Sequence, residues 1–455
     1  MRRGAPRLVT WLLALLLVLP WVGGAAAWPL SFGRPSGNRV AAGKGTFPRW
    51  QAFGIATEVP MRWVVALDRE RLAAVDRDGT LWILDAGRTG LSVAARYGES
   101  VSPDAPPAVV DLDEDQRGLA LIGRDGRLTL WSEGTLRSYD VGAPLSRLSF
   151  PLPVRVAGQR WSDLLAVAAD GAIVRIARLS SAPRIVSRVE TRALPDARIT
   201  LDDLDGDGVP EAVVLTDPTE RHGHGVLGDR VEAASVSVIG ITPFGLSLRS
   251  RHVLATAVFE DLVPVLAPIS EGGRPVVLVA RSAPETAAVV AGLGWREGSL
   301  VPVAETPAVK GGLEWVHVIG AANLGGDATP EVVAVRMPQP GGVLTAYRRT
   351  GAVFTTVAQV PGFASHAAGS RNQDQALLAD LDGNGRPEVI LPRQSRVALA
   401  ALELESGRWV ERWSVTLRGP IESNLAASDV DGDGVLDLVF ADRHTLYVFF
   451  SLGVR

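Results

Sequence analysis

The chain of 455 residues is 47% hydrophobic and 21% charged, with 48 glycines and 30 prolines, which supplies apolar material for a sizeable core and many turns and excludes a largely disordered protein. A net charge of −4, with no basic stretch interleaved with aromatics, excludes a nucleic-acid binder. The lack of cysteine excludes a disulfide framework and a lipidated cysteine behind a leader.

The first 27 residues run from basic (Arg2, Arg3, Arg7) through an apolar stretch, Leu8 to Val22, to the small residues Ala25, Ala26 and Ala27. That is the order of a secretory signal, with cleavage expected after Ala27 and an uncleaved N-terminal membrane anchor as the alternative. Residues 28–46 are rich in Gly, Ser, Arg and Asn without periodicity and read as a flexible linker. From residue 47 to 455 the chain is expected to form a single domain of short strands. Runs such as LAAV, LWILD, LALIG, LTLW, LLAVA and AIVRIA are bounded by Gly, Asp and Pro, and none has helical period. No later segment is long and apolar enough for a membrane helix, so no stable span is expected once the leader is gone.

These strands recur in units that begin near Asp68, Asp111, Gly158, Asp203, Asp261, Asn323, Asp380 and Asp429. The spacing brackets the roughly 40 to 50 residues of a four-stranded propeller blade. The fold class is therefore all-β, a β-propeller of eight blades with seven as the alternative; a linear solenoid, whose repeats are shorter and more uniform, is the competing architecture. The final unit has room for about three strands. If residues 49–59 supply its fourth, the ring closes and no sheet edge stays open. Trp63, Trp82, Trp131, Trp161, Trp295, Trp315, Trp409 and Trp413 fall at strand ends and are expected to pack between blades.

Three segments share one spacing: DLDGDGVPE from Asp203, DLDGNGRPE from Asp380 and DVDGDGVLD from Asp429. Oxygen side chains stand at positions 1, 3, 5 and 9: Asp203, Asp205, Asp207 and Glu211; Asp380, Asp382, Asn384 and Glu388; Asp429, Asp431, Asp433 and Asp437. Calcium takes six to eight oxygens at roughly 2.3–2.6 Å, and carboxylates at alternate positions of a tight loop can converge on it. Gly208, Gly385 and Gly434 at position 6 permit a positive φ, and the carbonyl of Val209, Arg386 or Val435 at position 7 would add an oxygen. An EF-hand fails on context, because the acid falls at position 9 and a strand follows at once. A merely polar turn would explain one such segment but not three alike. Two eroded copies are weaker candidates: Asn323, Asp327 and Glu331 with Gly325 at position 3, and Asp111, Asp113 and Asp115 with Gln116 and Leu119 where Gly and an acid belong.

A DxDxDGxx[DE] loop running into a hydrophobic strand, repeated at blade spacing, resembles the FG-GAP/VCBS repeats, whose relatives include the integrin α-subunit propeller. The stretch LWILDAGRTG is similar to a strand and turn of quinoprotein propellers. The first resemblance implies that the metals are structural and that partners dock on a face of the disc. No GxSxG elbow is visible and there is no Cys, so no catalytic residue is assigned and no enzyme is expected. His222 and His224 read as part of a solvated loop. Together these features imply a periplasmic or secreted calcium-binding propeller that binds an envelope or extracellular protein or glycan. The alternatives are a calcium-dependent enzyme acting on polysaccharide or phosphoester, and a structural or adhesive module of a surface assembly.

Overall fold

The computed structural model describes residues 41–42, 50–113, 116–156, 158–223, 225, 227–270, 272–308, 315–337, 341–382 and 384–451. The leader expected over 1–27 and nearly all of the linker over 28–46 lie outside them. Every regular element among the described residues is a strand, and no helix is long and apolar enough to cross a membrane.

The strands assemble as antiparallel meanders of four: blade 1 over 61–97, blade 2 over 108–139, blade 3 over 152–189, blade 4 over 200–253, blade 5 over 258–305, blade 6 over 316–361 and blade 7 over 377–416. An eighth sheet takes three strands from 426–451 and its outer one from the other end of the chain. Trp50–Ala56 runs antiparallel to Thr445–Ser451, from Trp50 opposite Ser451 to Ala56 opposite Thr445. This is the pairing that closure of the ring requires. Within the expected linker, Ala41–Ala42 pairs in parallel with Ala379 and Asp380.

The core sits between blades. The two middle strands of a meander are covered on both faces, which is why Arg71–Asp76 and Glu388–Pro392 are almost wholly buried, whereas outer strands such as Trp50–Ala56 and Arg184–Val189 alternate between half-buried and exposed. Leu121 and Trp131 of blade 2 pack with Trp63 and Ile83 of blade 1. The same arrangement runs round to the seam, where Val448 and Phe450 of blade 8 pack with Val64, Leu72 and Trp82 of blade 1. Trp63, Trp82, Trp131 and Trp315 are buried as expected. Trp161 departs from that reading; it is 43% exposed in a loop where no neighbouring blade covers it.

The segment 364–376 between blades 6 and 7 follows no blade pattern. Asn372 Nδ2 donates to the carbonyls of Arg62 in blade 1 and Glu422 before blade 8 at 3.1 and 3.4 Å. Gln373 Nε2 donates to Asp261 Oδ1 at 2.8 Å, and its Oε1 accepts from Leu262 N, both in blade 5. Asp374 accepts at 2.5 Å from Arg198, which leads into blade 4 and lies with its guanidinium carbon 5.3 Å from the ring centre of Trp63. One short segment can reach blades 1, 4, 5 and 8 only from the middle of a ring, so this polar plug lies at the axis.

Near the plug, buried Glu232 has its carboxyl pushed up to about 9 by desolvation and by the carboxylates of Glu260, Asp229, Asp261 and Asp196. A raised acid contributes stability that is complete below its unfolded value, near 4.5, and is lost as pH rises through the folded value. Glu232→Gln is therefore expected to leave the melting temperature nearly unchanged at pH 5 and to raise it above wild type at pH 9. Parallel melting curves for the two proteins over that range would contradict the assignment.

Candidate metal centre

The acidic loops join the first and second strands of their blades. The first strands are short: Thr200–Asp202, Leu377–Asp380 and Ala426–Ser428. Each loop folds by the same local bonds. The position-1 carboxylate accepts from the amide at position 6, as Asp203 does from Gly208 at 2.8 Å, Asp380 from Gly385 at 3.0 Å and Asp429 from Gly434 at 3.0 Å. Those glycines take φ of 87°, 83° and 88°, the left-handed turn that glycine adopts at least cost. Position 2 is an apolar anchor. Leu204, Leu381 and Val430 are buried, and their amides donate to the terminal acids Glu211, Glu388 and Asp437 at 3.0, 2.8 and 2.8 Å.

This folding brings positions 1, 3 and 9 together. Asp203, Asp205 and Glu211 offer oxygens within 4.8 Å of one another, as do Asp380, Asp382 and Glu388, and Asp429, Asp431 and Asp437. Position 5 is turned otherwise: Asp207, Asn384 and Asp433 each accept from the amide at position 7, Val209, Arg386 or Val435, at 2.7 to 2.8 Å. Burial pushes Glu388 up to about 8 and Asp437 up to about 7, with Asp382 and Asp431 adding like-charge repulsion. Glu388 is wholly buried and its Oε1 has no hydrogen-bond partner; Asp429 Oδ1 is in the same condition. Buried, mutually repelling carboxylate oxygens with no donor suit a hard divalent cation.

The eroded copies are furnished differently. Arg348 lies against both Asp327 and Glu331. Asp111 is held by Arg155 and by Arg117 at 3.3 Å, Asp113 accepts from Gln116 N at 2.9 Å, and Asp115 lies outside the described residues. Arginines also reach two of the complete loops. Arg249 Nη1 is 2.9 Å from Asp205 and 2.6 Å from Glu211, and Arg88 of blade 1 lies on Asp431 and Asp433 of blade 8. Sequence spacing shows none of these, because each arginine arrives from another strand or another blade.

The FG-GAP-like repeat family matches residues 380–440, the span that holds blade 7 and the loop of blade 8. No curated protein matches the chain. Among solved structures, the Dos1 propeller superposes with a TM-score of 0.56 at 11% identity, covering 90% of this chain and 95% of that one. The quinohemoprotein alcohol dehydrogenase of Comamonas testosteroni gives 0.54 at 12% identity over 89% of this chain and 76% of its own. The quinohemoprotein alcohol dehydrogenase ADHIIG of Pseudomonas putida HK5 gives 0.52 at 10% over 88% and 76%. At these identities the likeness is one of fold. With its repeat match falling on two of the acidic loops and its propeller likeness running the length of the blades, the chain is a β-propeller that carries an FG-GAP-like repeat over residues 380–440.

Proposed function

We propose that this chain is an exported, calcium-stabilised propeller that serves as a protein- or glycan-binding module of the cell envelope or exterior. The observation that carries the calcium reading is the buried, unpartnered Oε1 of Glu388 beside Asp380 and Asp382. Calcium would be held there by Asp380, Asp382 and Glu388, and in the sister loops by Asp203, Asp205 and Glu211, and by Asp429, Asp431 and Asp437; Asn384, Asp207 and Asp433 and the carbonyls of Arg386, Val209 and Val435 would complete the shell once position 5 turns toward the ion. Its contribution is charge neutralisation that locks the first two strands of a blade together. Export is supported by the basic, apolar and small-residue order of residues 1–27. A binding role rests on the resemblance of residues 380–440 to an FG-GAP-like repeat, which implies partners that dock on a face of the disc.

The test is made on the mature chain. Native mass spectrometry at millimolar calcium is expected to find two to four bound ions, removed by chelator. Asp382→Ala should lower the melting temperature in calcium and change it little in chelator, whereas equal losses in both would mean that Asp382 only shapes a turn. Saturable capture of defined envelope glycans or proteins without turnover supports the binding role. Turnover on a panel of polysaccharides and phosphoesters would overturn it in favour of an enzyme.

A further inference from the structure

We propose that in blade 6 the guanidinium of Arg348 is a built-in replacement for the metal ion, so that the loop 323–331 stays closed to calcium while its counterpart 380–388 in blade 7 is open to it. The inference rests on the calcium reading of the complete loops and extends it to the loop of blade 6, whose position-3 carboxylate is missing.

The two loops share a frame. Leu324 N donates to Glu331 Oε2 at 3.0 Å, as Leu381 N donates to Glu388 Oε2 at 2.8 Å, so the terminal acid is placed alike in both. Two of the positions at which they differ are distant in sequence and adjacent in space. Position 3 is Gly325 in blade 6 and Asp382 in blade 7. A Cβ built on Gly325 would lie 3.4 Å from Arg348 Nη2 and 3.3 Å from Glu331 Oε1. The guanidinium therefore sits where a position-3 carboxylate would project. From there it joins Asp327, at 3.0 Å from its Oδ2, to Glu331, the acids of positions 5 and 9.

The second difference is the residue across the sheet from the terminal acid. In blade 6 Glu331 is paired with Arg348. In blade 7 Val389 pairs with Leu402, which brings Glu403 beside Glu388. Glu403 is 2% exposed and draws the two nearby arginines onto itself, Arg412 at 2.7 Å and Arg386 at 3.4 Å. Between blades 6 and 7 this cross-strand position thus carries a base where the position-3 ligand is Gly325 and an acid where it is Asp382, and such directly opposed residues are within reach of each other. A dication entering 323–331 would meet a fixed positive charge at contact distance, in a site partly shielded from water where that repulsion is strong. The loop at Asp111 follows the same logic, with Arg155 and Arg117 on its first acid.

The swap is reversible by design. Asn323 Oδ1 is buried without a hydrogen-bond partner, so it is a spare oxygen once the arginine is gone. Full-length wild type, Arg348→Met, Asp327→Asn, Gly325→Asp/Arg348→Met and that double variant with Asp327→Asn are compared by native mass spectrometry and calcium titration calorimetry. The double variant is expected to bind one ion more than wild type and to lose it again when Asp327→Asn is added. In the wild-type background Asp327→Asn should leave the stoichiometry unchanged, and Arg348→Met should lower the melting temperature equally in calcium and in chelator. A wild-type ion lost on Asp327→Asn overturns the proposal, and this arm stands even if the double variant does not fold. A folded double variant that gains no ion overturns it too. If wild type binds no calcium at all, the reading of the complete loops fails, and the double variant alone then decides the arginine swap by binding one ion or none.

Discussion

Removal of everything after Asp442 is expected to leave an insoluble or protease-labile protein. Thr445–Ser451 is bonded on both sides, to the strand Asp437–Ala441 and to Trp50–Ala56, so the deletion leaves Trp50–Ala56 without its partner strand and opens a sheet edge along Asp437–Ala441. It also strips the seam between blades 8 and 1 of Leu446, Val448 and Phe450, and the contact with blade 7 of Phe449. At about 1.5–3 kcal/mol for each large apolar side chain buried, those four equal or exceed much of the 5–15 kcal/mol or so that separates a folded domain from its unfolded chain. Solubility and a heat-melting profile like those of the intact chain would rule out the closed ring.

Arg198→Met should be the most damaging single substitution away from the blade cores. Arg198 and Asp374 are buried together, and Arg198 also donates to the carbonyl of Arg371 at 2.8 Å. Loss of one partner leaves the other charge stranded in the interior, which costs about 3–5 kcal/mol. Burial already pushes the Asp374 carboxyl up, against the pull of Arg198, so without the arginine it is pushed further up. Urea unfolding is expected to move to a clearly lower midpoint, and Arg198→Met/Asp374→Leu to recover part of the loss. A midpoint within error of wild type for Arg198→Met would mean that the axial segment does not anchor the ring.

What the sequence discloses divides along physical lines. Middle strands are legible because coverage on both faces demands an unbroken apolar run, and the acidic loops because their side chains bond to amides only a few residues away. The first strands are not. Ala426–Ser428 is too short to show a pattern, so in the sequence its unit first becomes visible at the acidic loop that follows. The axial segment reads as an unremarkable polar stretch, since the partners of Asn372, Gln373 and Asp374 are scattered over blades 1, 4, 5 and 8. The choice between a metal and an arginine at position 3 is hidden for the same reason: the pairing of Glu331 with Arg348 is a matter of register, and register across a sheet is a property of the folded chain.

The pairing of Trp50–Ala56 with Thr445–Ser451 also bears on the order of events during synthesis. The earliest strand of the ring to leave the ribosome waits for the last one to be made before it has a partner. Blades 1 to 7 can form as the chain grows, each from neighbouring segments, but the ring itself can close only after Thr445–Ser451 has emerged. Ring closure is thus a late, non-local step, the kind of contact that is slow to form because a long loop must be closed first.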